Sequence, residues 1–132
     1  MRGSSGRATA GGATIGPMIT DPRELWTIQE RGIPLYMNNT LTIRPDRLDD
    51  FLGALRDVLP LAREEAGCLY LNVGSLTRRP DVFVLSEGWR DLVEYRDEIL
   101  AKDYFQQYLK ISEESYAVPR VVELLQPIGD GA

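Results

Sequence analysis

Residues 33–65, IPLYMNNTLTIRPDRLDDFLGALRDVLPLAREE, decide the fold. In the first part the residues alternate. Leu35, Met37, Leu41 and Ile43 share one parity, as in a strand with one covered face, and Asn39 interrupts that parity with a polar side chain. The spacing predicts a strand over 33–44. Pro45 and Asp46 then open a helix that runs to about Glu65. Its apolar residues Leu48, Phe51, Leu52, Leu55, Val58, Leu59 and Ala62 recur at i, i+3, i+4 and i+7, a stripe that must lie against other apolar surface. Pro60 removes one backbone donor and crowds the preceding turn, which predicts a kink. Gly67 predicts the helix stop.

Downstream, 68–77 and 81–90 read as two strands joined by Arg78, Arg79 and Pro80, an antiparallel hairpin. In the second strand Phe83, Leu85, Glu87 and Trp89 face one way, while Val82, Val84 and Ser86 face the other. Both faces carry apolar residues, so both are expected to be covered. Helical stretches follow over about 91–101 and 104–116, and Pro119 precedes a last strand, 121–128. Upstream, Asp21 and Pro22 cap a short segment over 23–29. The order β-α-β-β-α-β predicts a ferredoxin-like α+β fold, a four-stranded antiparallel sheet with helices on one face. The other face then predicts a homodimer packed sheet to sheet, a dimeric α/β barrel. Residues 1–20 are rich in Gly, Ser, Ala and Thr and read as a flexible tail, leaving 21–132 as a single domain.

The chain has 132 residues, 43% hydrophobic and 27% charged, ordinary for a globular domain. Fifteen Lys and Arg against twenty Asp and Glu leave a net charge of −5, which argues against a nucleic-acid partner. No apolar run approaches the roughly 18–20 residues of a membrane span, and no signal-peptide core is present, so the chain reads as cytoplasmic with no membrane partner. The single cysteine, Cys68, excludes an intramolecular disulfide and a cysteine-rich zinc site. There is no histidine. That removes Ser-His-Asp and Cys-His catalysis, the common zinc sites and a histidine-ligated haem. Acid or base chemistry falls to Asp, Glu, Tyr, Lys or water. The glycines form neither a dinucleotide fingerprint nor a P-loop, and nothing points to flavin, nicotinamide or metal.

The informative residues are polar groups at core parity, because an unpaired one costs about 1–3 kcal/mol. Asn39 and Glu87 are such groups. With both strands facing the helices, Asn39, Glu87 and Trp89 line one cavity, and Tyr95, Tyr104 and Tyr108 supply walls from the helix side. Each residue also has a plainer reading. Asn39 satisfies a stray backbone group, Glu87 pairs with an arginine or sits at the sheet edge, and Trp89 and the tyrosines fill core. Buried, Glu87 has a raised pKa, as a general base near neutrality requires. Cys68 reads as a small buried hydrophobe.

The stretches 39–45 (NTLTIRP), 66–69 (AGCL) and 83–89 (FVLSEGW), with Asp103, Tyr104 and Phe105 before another helix, resemble the antibiotic biosynthesis monooxygenase family over about 34–128. The pattern is most similar to that of the cofactor-independent oxygenases of aromatic polyketide biosynthesis, which convert anthrone-type phenols to quinones. Some members carry an asparagine matched here by Asn39, a tryptophan matched by Trp89, and a substrate-bonding tyrosine six residues later, matched by Tyr95. Residues 24–36 loosely resemble an N-terminal extension of that group. A second asparagine of some members falls at Leu85, and a basic residue of the following helix falls near Lys110. Haem-degrading relatives use a histidine ligand that this chain lacks.

The resemblance implies a dimeric enzyme acting on a small aromatic substrate and O₂ with no cofactor. Asn39 and the Trp89 N–H would steady a phenolate, Tyr95, Tyr104, Tyr108 and Lys110 would hold the substrate, and Glu87 or a water would take the proton. The same fold also hosts cyclases, isomerases, dehydratases and non-catalytic binding proteins, so these remain alternatives.

Overall fold

In a computed structural model of the chain, residues 9–10, 13–14 and 21–128 are described. The tail read over 1–20 lies largely outside them. Within it, Thr9–Ala10 and Ala13–Thr14 pair antiparallel. The main chain path runs β1 (Leu35–Thr42), α1 (Leu48–Arg63), β2 (Cys68–Leu76), β3 (Arg79–Trp89), α2 (Leu92–Glu94), α3 (Asp103–Glu113) and β4 (Val121–Leu124). The four strands form one antiparallel sheet in the order β2-β3-β1-β4. This is the ferredoxin-like α+β arrangement, with the two middle strands coming from opposite halves of the chain.

The alternation of β1 survives intact. Leu35, Met37, Asn39 and Leu41 are buried, and Tyr36, Asn38, Thr40 and Thr42 point to the open face. In α1 the buried residues are Phe51, Ala54, Leu55, Val58 and Ala62, a single stripe laid on the sheet. Phe51 is fully buried, 5.0 Å from the Phe83 ring of β3 and 6.3 Å from the Tyr108 ring of α3. It therefore joins both layers. Among the described residues no helix is long and apolar enough to cross a membrane.

Several boundaries differ from the sequence reading, each for a local reason. Pro45–Arg47 is a turn of 3-10 helix, so α1 proper begins at Leu48. Pro60 does not divide α1. It lies in the last turn, and the helix continues past it to Arg63, where the Glu64 N–H still reaches the Pro60 carbonyl at 3.2 Å. Gly67 does not stop the helix, since Glu64 caps it in a right-handed conformation. Its small size serves a close approach instead: a Cβ there would lie 2.3 Å from a Glu94 carboxylate oxygen. The hairpin turn is Thr77 and Arg78, with Arg79 and Pro80 already in β3. The segment over 23–29 is a short 3-10 helix, Pro22–Trp26, capped by Asp21. The last strand stops at Leu124, although the Leu125 N–H still bonds the Tyr36 carbonyl at 2.8 Å.

The helix after β3 is also split. Asp91 caps α2 by accepting from the Val93 N–H at 3.0 Å, and the chain passes directly into a π-helical turn, Tyr95–Ile99. The Leu100 N–H bonds the Tyr95 carbonyl at 2.9 Å, five residues back. Such turns add one residue to a helical circuit and recur at functional sites. The open face of the sheet is more polar than the β3 alternation suggested. Tyr36 and Tyr70 stack there at 6.4 Å, and the Ser86 hydroxyl donates to the Asn38 carbonyl oxygen at 2.8 Å.

Replacing Phe51 with alanine removes the ring that joins α1 to both β3 and α3. A loss of about 3–5 kcal/mol in unfolding free energy is expected, read from urea denaturation midpoints.

Candidate active site

Glu87 is the charge around which the helix-side face of the sheet is arranged. It is only 5% exposed and faces the helices from near the C-terminal end of β3. Trp89 lies two residues along the same strand and hence on the same face. The register pairs Met37 with Glu87 and Asn39 with Leu85, so Asn39 sits diagonally across from Glu87 on β1. Both neighbours donate to the carboxylate. Asn39 Nδ2 donates to Oε2 at 2.8 Å, and Trp89 Nε1 donates to Oε1 at 3.0 Å. The Asn39 carbonyl oxygen in turn accepts from Arg120 Nη1 at 3.1 Å. The amide orientation follows from its partners, because the guanidinium can only donate and an ionised carboxylate can only accept.

Burial pushes the Glu87 carboxyl above the ordinary glutamate range. The two N–H donors and the Arg120 charge oppose that shift. The result is a carboxyl held in a dry place with a hydrogen bond on each oxygen, its pKa raised by burial against the pull of its donors.

In front of Glu87 is a narrow cavity of about 40 Å³. Its polar walls come from Asn39, Glu87, Tyr95, Tyr108, Tyr116 and Arg120, and the rest is aliphatic or aromatic. Tyr95, from the π-helical turn, stacks on Trp89 with ring centroids 4.5 Å apart. Phe105 meets both Tyr95 and Tyr108 edge-on. The Ser112 hydroxyl donates to the Tyr116 hydroxyl at 2.7 Å. Burial raises the Tyr95, Tyr108 and Tyr116 phenols above their usual range, and the Glu87 charge adds to the effect at each. These phenols therefore remain neutral donors. Among the described residues the Tyr95 hydroxyl has no hydrogen-bond partner.

The structure thus brings Asn39, Glu87, Tyr95 and Tyr108 together. Trp89 does not line the cavity as the sequence suggested. It is fully buried behind Tyr95, and its N–H is already used by Glu87. Two other residues lie elsewhere. The Tyr104 hydroxyl donates at 2.6 Å to Glu65, which also binds Lys102, on the outer edge of the helical layer. Lys110 is exposed and borders a separate surface hollow beside Trp26 and Arg96. On α3 Lys110 lies on the exposed side, while Tyr104 is half-buried with its ring 5.7 Å from Phe105 and turns its hydroxyl outward to Glu65. Sequence reading missed Arg120 and Tyr116. The available signal for Arg120 was the rule that a buried carboxylate wants a cation nearby; its partner lies 81 residues away along the chain.

A carboxyl whose folded pKa is raised contributes its stability below the unfolded pKa and loses it as pH rises through the folded value. Wild-type chain and Glu87→Gln, which is neutral at every pH, are therefore expected to be most alike in acid, where Glu87 is neutral too. Their stability gap should change against the wild type as pH climbs above 4.5. Urea midpoints between about pH 4 and 8 check this; a gap independent of pH would contradict the raised pKa.

The family model for antibiotic biosynthesis monooxygenase matches residues 34–110. No curated protein matches the chain. Among solved structures, a Bacteroides thetaiotaomicron protein assigned by name to that family superposes with a TM-score of 0.68 at 20% identity, covering 75% of this chain and 93% of its own. Rv0793 from Mycobacterium tuberculosis gives 0.66 at 21% identity, covering 75% and 99%. PA3566 from Pseudomonas aeruginosa gives 0.64 at 22%, covering 73% and 95%. At these identities the likeness to the solved structures is one of fold. The match to the family model takes in β1 through most of α3, the elements that carry Asn39, Glu87 and Tyr95, and the chain belongs to the antibiotic biosynthesis monooxygenase family.

Proposed function

We propose that the chain is a monooxygenase that oxidises an electron-rich polycyclic phenol of the anthrone type to a quinone, using O₂ and no cofactor, with Glu87 as the base. The observation that carries this reading is the Glu87 carboxylate, buried at the head of an aromatic cavity and held by N–H donors on both oxygens. Triplet O₂ reacts poorly with closed-shell molecules, and a flavin or metal commonly overcomes that barrier. A deprotonated anthrone can do so itself. Glu87 takes a proton from the reacting CH₂, and the resulting anion gives one electron to O₂. Substrate radical and superoxide combine, and the peroxide takes up a proton. Loss of water leaves a carbonyl, so one oxygen is gained and two hydrogens are lost.

The donors are shared out differently from the pattern implied by family resemblance. Asn39 and Trp89 hold the base, and the unpartnered Tyr95 hydroxyl is the donor free to meet a phenolate oxygen. The cavity is far below the roughly 300 Å³ at which ligand pockets begin. A tricyclic substrate therefore enters by displacing Tyr95 from its stack on Trp89. The π-helical turn, with its looser hydrogen bonding, is the element that can yield.

We propose also that two copies pack through the open face of the sheet. Tyr36, Tyr70 and Val84 are half-buried there, and Val121 is 52% exposed. A Val84→Arg substitution should convert a dimer to monomer in light scattering, and a monomeric wild-type chain would sink this proposal.

The primary test is O₂ consumption with anthrones and hydroquinones, without added metal or flavin, with product masses recorded. Uptake above the spontaneous rate is expected, with Glu87→Gln lower in kcat by about 10²–10⁴. Because the Trp89 N–H pulls the Glu87 pKa down, Trp89→Phe should move the acid limb of the kcat profile to higher pH. A mass change without uptake would assign the base to cyclisation, isomerisation or dehydration. Binding without either would make the chain a carrier.

A further inference from the structure

Arg120 is built unlike the other well-placed arginines of the chain. Arg31, Arg47, Arg90 and Arg96 each bind a carboxylate directly. Arg120 makes no ion pair among the described residues, and its hydrogen bond there is the one from Nη1 to the Asn39 carbonyl oxygen. Asn39 stands between it and Glu87, so the two charges sense each other without direct contact. The residue is exposed to solvent, yet it lines the cavity, among walls that are otherwise largely apolar and aromatic. Its position is set just ahead of β4, after Pro119, and β4 pairs with β1 through Val122 opposite Asn39.

A guanidinium offers five donors in a planar fork, and one is used here. Exposure does not account for that position, because a solvated arginine has no need to lie over an aromatic cavity. Electrostatic support of Glu87 does not account for it fully either, since the intervening amide prevents a fork-to-fork pair. What the remaining donors match is a planar anion at the cavity mouth, one whose aromatic body extends inward toward Glu87 and Tyr95.

From the free donors of Arg120 at the mouth of the Glu87 cavity, we infer that the substrate is an aromatic acid, with its carboxylate held by Arg120 and its ring system in the cavity. This rests on the cavity being the substrate site, and it narrows the substrate class of the proposed reaction to phenols that carry an acidic side group. It also gives the site a polarity: the anionic end stays at the solvent mouth, and the carbon to be deprotonated is directed to the buried base. The Arg120 charge lies close enough to oppose the rise in the phenol pKa values of Tyr95, Tyr108 and Tyr116, which supports its facing the cavity as a whole rather than Asn39 alone.

The test is calorimetric binding at neutral pH of two probes that differ in one group, 2-naphthol and 3-hydroxy-2-naphthoate, to the full chain. The carboxylate probe is expected to bind the wild-type chain at least about tenfold more tightly. Arg120→Gln should bind the two probes equally. Arg120→Lys should keep a reduced preference, because an ammonium supplies charge without the fork. Absence of a preference in the wild-type chain, including failure of the carboxylate probe to bind, overturns the inference. So does a preference that survives Arg120→Gln. Binding and turnover separate the two claims. O₂ uptake on uncharged anthrones without the probe preference would remove the acid anchor and leave the oxygenase, whereas the preference without uptake on any anthrone would do the reverse.

Discussion

A carboxylate beneath a layer of helices is costly, and the site is the arrangement that offsets the cost. Glu87 gives up water on the buried face of β3, and an isolated charge there would not persist. The two oxygens are met by two N–H groups from different directions, one from the neighbouring strand and one from the same strand. Asn39 can serve only with its amide turned one way, and Arg120 secures that orientation by occupying the carbonyl oxygen. The polar line Arg120–Asn39–Glu87–Trp89 thus crosses a sheet face that is otherwise apolar. Each member is positioned by its neighbour.

The same constraint organises the aromatic side. With its N–H committed to Glu87, the Trp89 ring is fixed in the core and presents a flat surface on which Tyr95 stacks. Tyr95 reaches that surface from the π-helical turn that follows α2, and the α2 cap, Asp91, accepts with its other carboxylate oxygen from the Gly32 N–H at 3.3 Å. The segment before β1 and the helix after β3 are thereby tied together at the rim of the site. The Leu92 N–H adds a bond to the Ile33 carbonyl at 2.7 Å. A raised carboxyl pKa, neutral phenols and a narrow cavity walled by stacked rings are consequences of one buried charge in an apolar layer, and they are the elements that proton removal in a dry site requires.

Much of this was legible because strand periodicity is strict. Residues two apart share a face, so Glu87 and Trp89 had to be neighbours, and the parity of Leu35, Met37, Leu41 and Ile43 placed Asn39 on the covered side. The amphipathic stripe of α1 was equally plain. Helix-side walls were harder. Tyr104 and Tyr108 lie four apart on α3, close enough in angle that spacing alone admitted both, yet Tyr108 faces the core and Tyr104 turns outward to Glu65. Lys110 fails for a similar reason, two positions beyond Tyr108 and so on a different side of the helix. A π-helical turn leaves no periodic trace in sequence, although it decides where the Tyr95 ring points.

The amino-acid sequence by itself determined the order of strands and helices, the face each strand buries, the presence of a carboxylate and an amide on that face, and the absence of histidine chemistry. These depend on local periodicity and on composition. The tertiary structure decided which groups satisfy the carboxylate, that Trp89 supports the site from behind rather than lining it, and that Arg120 reaches the cavity from the far end of the chain. Those outcomes depend on sheet register and helix rotation, which set contacts such as that of Arg120 with Asn39, 81 positions apart. A one-residue change in either would send the same side chains to different partners.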